Sequence, residues 1–158
     1  MIYLNHGLNY SISVIFKGKN MKYLHAMIRV TDIKKSLHFY QELLGLKLLR
    51  KNDYEGGRFS LYYLATAQGE SEIELTHNWD DGEYIPGNAF GHLAFSVENI
   101  YDICQKLEDS GVVILRPPRD GHMAFVKDPS GVSIELLQNG GSLPEHDKWS
   151  KMESTGSW

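Results

Sequence analysis

Two phrases recur in this chain, and their recurrence restricts what it can fold into more than any other feature. The run LHAMIRV at 24–30 has a counterpart in GHLAFSV at 91–97, each with a histidine near its start, His25 and His92. Further on, IELT at 73–76 is matched by IELL at 134–137, and the glutamates there are Glu74 and Glu135. Between its opening and closing phrase each copy carries a helix-like stretch and further strand-like runs. The chain therefore reads as one unit written twice, each copy in the order β-α-β-β-β. The expected fold is α+β: two βαβββ modules, 21–77 and 91–139, in one domain over 21–139. Residues 1–20 read as an N-terminal extension and 140–158 as a C-terminal tail.

In the first copy, 24–30 alternates as a strand, with His25, Met27 and Arg29 on one face and Ala26, Ile28 and Val30 on the other. Thr31 or Asp32 can cap the helix that follows. Over 32–44, Ile33, Leu37, Tyr40 and Leu44 recur at helical spacing as its buried stripe, and Gly45 ends it. Strands are expected at 46–51, 58–65 and 71–77, with turns at Gly56-Gly57 and Gln68-Gly69. The polar stretch 78–90 reads as a linker. The second copy has a strand at 91–97, then a helix capped by Asn99, striped by Ile100, Ile103 and Leu107, and ended by Gly111. Strands at 112–116, 122–127 and 132–137 follow, the last two joined by a turn at Asp128-Pro129-Ser130-Gly131. Past Gly140-Gly141 the tail is polar but carries Trp149 and Trp158, and reads as a surface strap or as partly disordered.

A length of 158 residues suits one domain. Sixteen basic against twenty acidic residues, a net charge of −4, offer no electrostatic footprint for nucleic acid. The single cysteine, Cys104, cannot form an intrachain disulfide; it falls in the second helix pattern as a small buried hydrophobe and fits a reducing compartment. No apolar run is long enough for a membrane span, and the stretch Ile12–Phe16 lacks the basic leader and cleavage pattern of a signal peptide. A cytoplasmic protein without nucleic-acid or membrane partners is expected.

Taken singly, a histidine in a strand is more often a hydrogen-bonded or surface residue than a ligand, and a glutamate there usually faces solvent. Symmetry shifts the balance, because both residue types recur at matching ends of both copies. His25, Glu74, His92 and Glu135 together make two imidazoles and two carboxylates, a donor set suited to Ni²⁺, Co²⁺, Zn²⁺, Fe²⁺ or Mn²⁺. A metal so held can polarise a carbonyl while a carboxylate beside it acts as base. His38, His77, His122, His6 and His146 read as ordinary surface or structural residues, and Met123 reads as core.

The segments LHAMIRVTDIKKSLHFYQELLGLKLLR, IELTHNW, GHLAFSV and AFVKDPSGVSIELL resemble glyoxalase I (lactoylglutathione lyase), of the vicinal-oxygen-chelate superfamily, in its short bacterial form. The resemblance covers about 21–139. It implies isomerisation of the hemithioacetal of methylglyoxal and glutathione to S-D-lactoylglutathione through an enediolate, with glutathione as co-substrate. It also implies that His25, Glu74, His92 and Glu135 are the metal ligands, Glu135 the principal base and Glu74 its helper. Arg29, Thr76, Asn78 and Arg116 would contact the glutathione moiety, with Arg29 at the glutamyl end and Arg116 at the glycine carboxylate. For Arg116, and for Arg119 near it, a solvated loop charge is the bland alternative. Histidine at the first ligand position is similar to the group that prefers Ni²⁺ or Co²⁺ over Zn²⁺. Asn88 departs from relatives that carry arginine there. Family precedent implies a homodimer with each site between two subunits; a monomer folding its own two modules together is the alternative. Rival readings on the same scaffold are an acyl-CoA epimerase, a ring-cleaving dioxygenase and a metal-free small-molecule binder.

Overall fold

The computed structural model describes residues 21–80, 82–85 and 87–158; the extension expected at 1–20 lies outside them. The first module comprises β1 (His25–Arg29), α1 (Ile33–Leu37), β2 (Lys47–Tyr54), β3 (Phe59–Ala65) and β4 (Glu72–Asn78). The second comprises β5 (His92–Val97), α2 (Ile100–Asp109), β6 (Met123–Lys127) and β7 (Ser133–Gln138). The first four strands form one sheet in the order β1-β4-β3-β2, and the last three a second in the order β5-β7-β6. In each sheet the opening strand pairs parallel with the closing strand, and the remaining pairings are antiparallel. Among the described residues no helix is long and apolar enough to cross a membrane.

Both helices begin as their sequences require. Asp32 accepts a hydrogen bond from the Lys35 N–H at 3.0 Å, and Asn99 from the N–H groups of Tyr101 and Asp102 at 3.0 and 3.3 Å. Both helical segments stop at a glycine with positive φ, Gly45 at 80° and Gly111 at 82°. The first helix departs from expectation in its middle. After Leu37 it widens into a π turn over His38–Leu43, in which Leu44 N–H reaches back to the Phe39 carbonyl. The extra residue per turn rotates the stripe, so Ser36, Phe39, Tyr40 and Leu43 are buried while Ile33, Leu37 and Leu44 pack at its margin.

The strand expected at 112–116 is reduced to one bridge, Arg116 opposite Phe125. Pro117 and Pro118 follow at once, both fully buried. With no N–H to donate they cannot extend the ladder. The second sheet is therefore one strand poorer than the first.

The helices and the inward faces of both sheets share one apolar core, from Ile28, Val30 and Leu75 in the first module to Ile100, Ile134 and Leu136 in the second. Polar contacts lock the modules at this seam. The Tyr40 hydroxyl donates to Asp128 Oδ2 at 2.9 Å, and the Lys106 ammonium reaches the Glu42 and Leu43 carbonyls at 2.6 and 2.9 Å. Cys104 is fully buried on α2, and burial pushes its thiol up to about 12, as suits an inert packing residue.

The tail is more structural than its composition suggests. Trp149 is 1% exposed and belongs to the core; Tyr101 Oη donates to the Pro144 carbonyl at 2.8 Å, and Lys148 pairs with Glu108. Replacing a buried indole by alanine removes its transfer free energy and leaves a cavity. Trp149→Ala is expected to lower stability by about 3–5 kcal/mol in urea unfolding, whereas a tail merely lying on the surface would give less than about 0.5 kcal/mol.

Candidate active site

Two strand pairings build two matching half-sites. In the first, His25 on β1 lies opposite Glu72 on β4, and Met27 opposite Glu74. Glu74 is thus one pleat along from His25 on the same sheet face. Its carboxylate turns back to the imidazole, with Oε2 3.0 Å from His25 Nε2. The second repeats the arrangement: His92 lies opposite Ser133, Ala94 opposite Glu135, and Nε2 and Oε2 are 3.1 Å apart. Both glutamate side chains are 12% exposed, and the histidines 35% and 43%. Each pair therefore sits on the open side of its sheet, away from the core.

An aromatic ring completes each half-site. Tyr63 on β3 faces Glu74 in register, and Phe125 on β6 faces Glu135. Each meets its histidine edge to face, at 5.8 Å and 73° for Tyr63 and at 5.4 Å and 81° for Phe125. Burial pushes the Tyr63 hydroxyl up, and hydrogen bonding to Glu74 adds to the effect. Neither ring was singled out from sequence, because the signal lies in cross-strand register.

The halves do not meet inside one chain. Among the described residues no group of three or more His, Cys, Asp or Glu side chains is placed to hold a metal ion. The four expected ligands are brought together as two pairs, not as one set. The alternative of one chain closing its own modules over an ion is not the arrangement of this chain, because their packed sides are already joined through the shared core.

Residues 22–136 match the model of the Glyoxalase/Bleomycin resistance protein/Dioxygenase superfamily. A probable lactoylglutathione lyase of Synechocystis sp. is 50% identical over 123 residues, which cover 73% of this chain and 93% of the relative. The lactoylglutathione lyase of Neisseria meningitidis is 43% identical over 125 residues, covering 75% and 91%. The chain belongs to the glyoxalase I (lactoylglutathione lyase) family. Among solved members of that family, the Leishmania major glyoxalase I, described as trypanothione-dependent, superposes with a TM-score of 0.72 at 38% identity, over 75% of this chain and 86% of the other.

Around this glyoxalase frame the remaining candidates divide. Arg29 is exposed on the His25 face and lines a groove of about 390 Å³ with Met27, Glu83, Tyr84, Ile85 and Phe90. The ion pairs found among the described residues do not include it. Thr76 lies opposite Arg29, and its hydroxyl is 3.3 Å from Glu74 Oε1. Asn78 shares that face and donates to the Tyr84 hydroxyl at 2.7 Å. Arg116 is already engaged: its guanidinium donates to the Met123 carbonyl and to Asp120 Oδ2, the latter at 2.8 Å. Arg119 holds the tail through the Met152 carbonyl and the Ser154 hydroxyl. Met123 is half-buried and opposite Leu137, which puts it on the Glu135 face and not in the core. His77 faces the other way from Glu74, His38 is exposed, and His146 lies against Tyr101 with the rings tilted at 47°; His6 lies outside the described residues. His122 is half-buried, with an Nδ1 that finds no partner among the described residues.

Burial works against the charge of Asp120, but the Arg116 guanidinium and the N–H groups of His122 and Met123 more than offset it and hold its carboxyl at about 2. A carboxyl depressed on folding stabilises the fold above its ordinary value of 3.8, and that contribution is lost as pH falls towards about 2. Asp120→Asn is therefore expected to unfold at lower urea concentration than the parent at pH 7, with the two midpoints converging near pH 2. A constant difference between them across that range would show that the Asp120 charge is not what holds this corner.

Proposed function

We propose that this chain isomerises the hemithioacetal of methylglyoxal and glutathione to S-D-lactoylglutathione, the lactoylglutathione lyase reaction of methylglyoxal detoxification. The observation that carries the reading is the duplicated histidine–glutamate pair, in the same register on the open face of both sheets. His25, Glu74, His92 and Glu135 would hold one divalent ion. Two imidazole nitrogens and two carboxylates fit such an ion, and each pair already holds its nitrogen and oxygen side by side, 3.0 and 3.1 Å apart. Nickel or cobalt is favoured by the histidine at the first position, and zinc also fits. When bound, the ion supplies Lewis-acid polarisation of the substrate oxygens.

The chain's own groups divide the remaining work. Glu135 takes the proton from the carbon bearing sulfur and returns it to the neighbouring carbon, and Glu74 assists. Their surroundings support that order. The Glu74 carboxylate has the Thr76 hydroxyl beside it and Tyr63 opposite, whereas the equivalent neighbours of Glu135 are Leu137 and Phe125. Among the described residues only His92 stands within ion-pair distance of the Glu135 carboxylate. Arg29, Thr76 and Asn78 would bind the glutathione peptide, with Arg29 on the glutamyl carboxylate. Arg116 would reach the glycine carboxylate only by exchanging it for Asp120.

Two subunits complete each site, the first module of one facing the second module of its partner. This assembly is supported by the apolar side chains left open beside the half-sites: Met27 is 45%, Phe90 44% and Ile85 91% exposed. Use of the glutathione pool and the single buried thiol fit a cytoplasmic location.

Glu135→Gln is expected to lower turnover by about 10³-fold while a non-reactive S-substituted glutathione still binds; near-parental turnover removes Glu135 as the base. Mixing His25→Ala and His92→Ala chains, each inactive alone, is expected to restore about a quarter of parental activity through hybrid dimers with one intact site. No recovery after verified subunit exchange would exclude the shared-site assembly.

A further inference from the structure

The tail beyond the family match ends on the open face of the second half-site. Its route is fixed at several points: Leu143 N–H donates to the Gly121 carbonyl at 2.9 Å, Trp149 is buried, and Arg119 holds the Met152 carbonyl at 3.0 Å. Thr155 N–H then donates to the Leu115 carbonyl at 2.8 Å, beside the segment that bridges to Phe125 through Arg116. This last contact delivers Trp158 onto Phe125, with ring centroids 5.8 Å apart and an interplanar angle of 26°. Phe125 is the ring that meets His92 edge-on and faces Glu135. Trp158 is thus one ring removed from the proposed metal ligand and base. It keeps 46% of its surface exposed, beside a groove of about 420 Å³ lined also by Asn88, Phe90, Gly91 and Ser133. Ser133 is the strand partner of His92.

We propose that Trp158 is a specificity-determining residue: it forms an apolar wall for the aldehyde-derived substituent of the hemithioacetal and favours flat, aryl-bearing 2-oxoaldehydes over methylglyoxal. The inference rests on the proposed activity. In the first half-site the ring equivalent to Phe125, Tyr63, is covered instead by the Arg50 guanidinium at 3.6 Å. Over the two equivalent rings the chain thus places a guanidinium on one half and an indole on the other, with Lys127 at the edge of the indole's groove. That division suits a substrate with a charged peptide at one end and a carbon substituent at the other. An indole loses little conformational freedom on contact and stacks well on a second ring.

The test compares the dimer carrying Trp158→Ala or Trp158→Phe with the parent. Calorimetry measures affinity for S-benzylglutathione and S-methylglutathione, and turnover is measured with phenylglyoxal and methylglyoxal hemithioacetals. In the parent the benzyl compound is expected to bind about tenfold tighter, the range one apolar contact gives. Trp158→Ala should bring that ratio near unity and lower the phenylglyoxal-to-methylglyoxal ratio of kcat/KM in parallel, and Trp158→Phe should restore most of both. Unchanged ratios in Trp158→Ala overturn the wall, as does loss of the dimer with both affinities falling together. A parent that binds neither compound and turns over neither substrate removes the proposed activity itself, a result distinct from unchanged ratios.

Discussion

In each module the first strand lies parallel to the last and hydrogen-bonded with it, and the chemistry of the molecule depends on that pairing. Parallel neighbours cannot be joined by a hairpin. The chain between them must travel out and back, and here it carries a helix and the remaining strands on the way. Side chains alternate between faces with a period of two, so a slip of one residue would carry each glutamate into the core and leave its histidine outside. The same register is kept in both copies, His25 opposite Glu72 and His92 opposite Ser133. That register is why two residues far apart in sequence finish 3.0 and 3.1 Å apart in both places.

The same alternation decides why one chain holds two halves and not one whole. Ile28, Val30, Ile73 and Leu75 face the side of the first sheet opposite His25 and Glu74, and Ile134 and Leu136 do the same in the second. Those faces are spent on a shared core, tied by the buried Tyr40–Asp128 hydrogen bond. Turning the modules so that their open faces met would return that apolar core to water and break the Tyr40–Asp128 hydrogen bond. A second copy of the chain can bring a half-site to each open face at no such cost.

Local chemistry made much of this legible in the sequence. The alternation at 24–30, the caps Asp32 and Asn99 and the stops Gly45 and Gly111 act within a few residues, and each stands in the structure as read. What escaped depends on partners far along the chain. The π turn after Leu37 answers to the core that Phe39 and Leu43 enter, and no periodicity over 32–44 announces it. The run 112–116 has strand-like composition, yet its ladder needs N–H groups that Pro117 and Pro118 lack. Trp149 lies in a polar tail, and only the packing around it shows that it is core. Met123, Tyr63 and Phe125 join the site through register across antiparallel pairs. The two histidine–glutamate pairs were legible because duplication wrote them twice, whereas Arg116, taken from the family resemblance, was read with no view of its contact with Asp120.

Duplication also left something to be broken. Two identical half-sites would present equivalent carboxylates to a substrate whose ends are chemically unlike. The copies keep histidine and glutamate but differ at every neighbour of the carboxylate: Thr76 against Leu137, Tyr63 against Phe125, and Arg50 over one ring where Trp158 lies over the other. On the first copy the Thr76 hydroxyl donates to the carboxylate, and Arg50, paired with Glu72, covers the tyrosine ring opposite it. On the second the carboxylate is walled by apolar side chains, and a proton moved there meets few competing hydrogen-bond partners. Under the proposed reaction this difference is what makes Glu135 the base, since the pairs themselves, alike to within 0.1 Å in their 3.0 and 3.1 Å separations, do not distinguish the two glutamates.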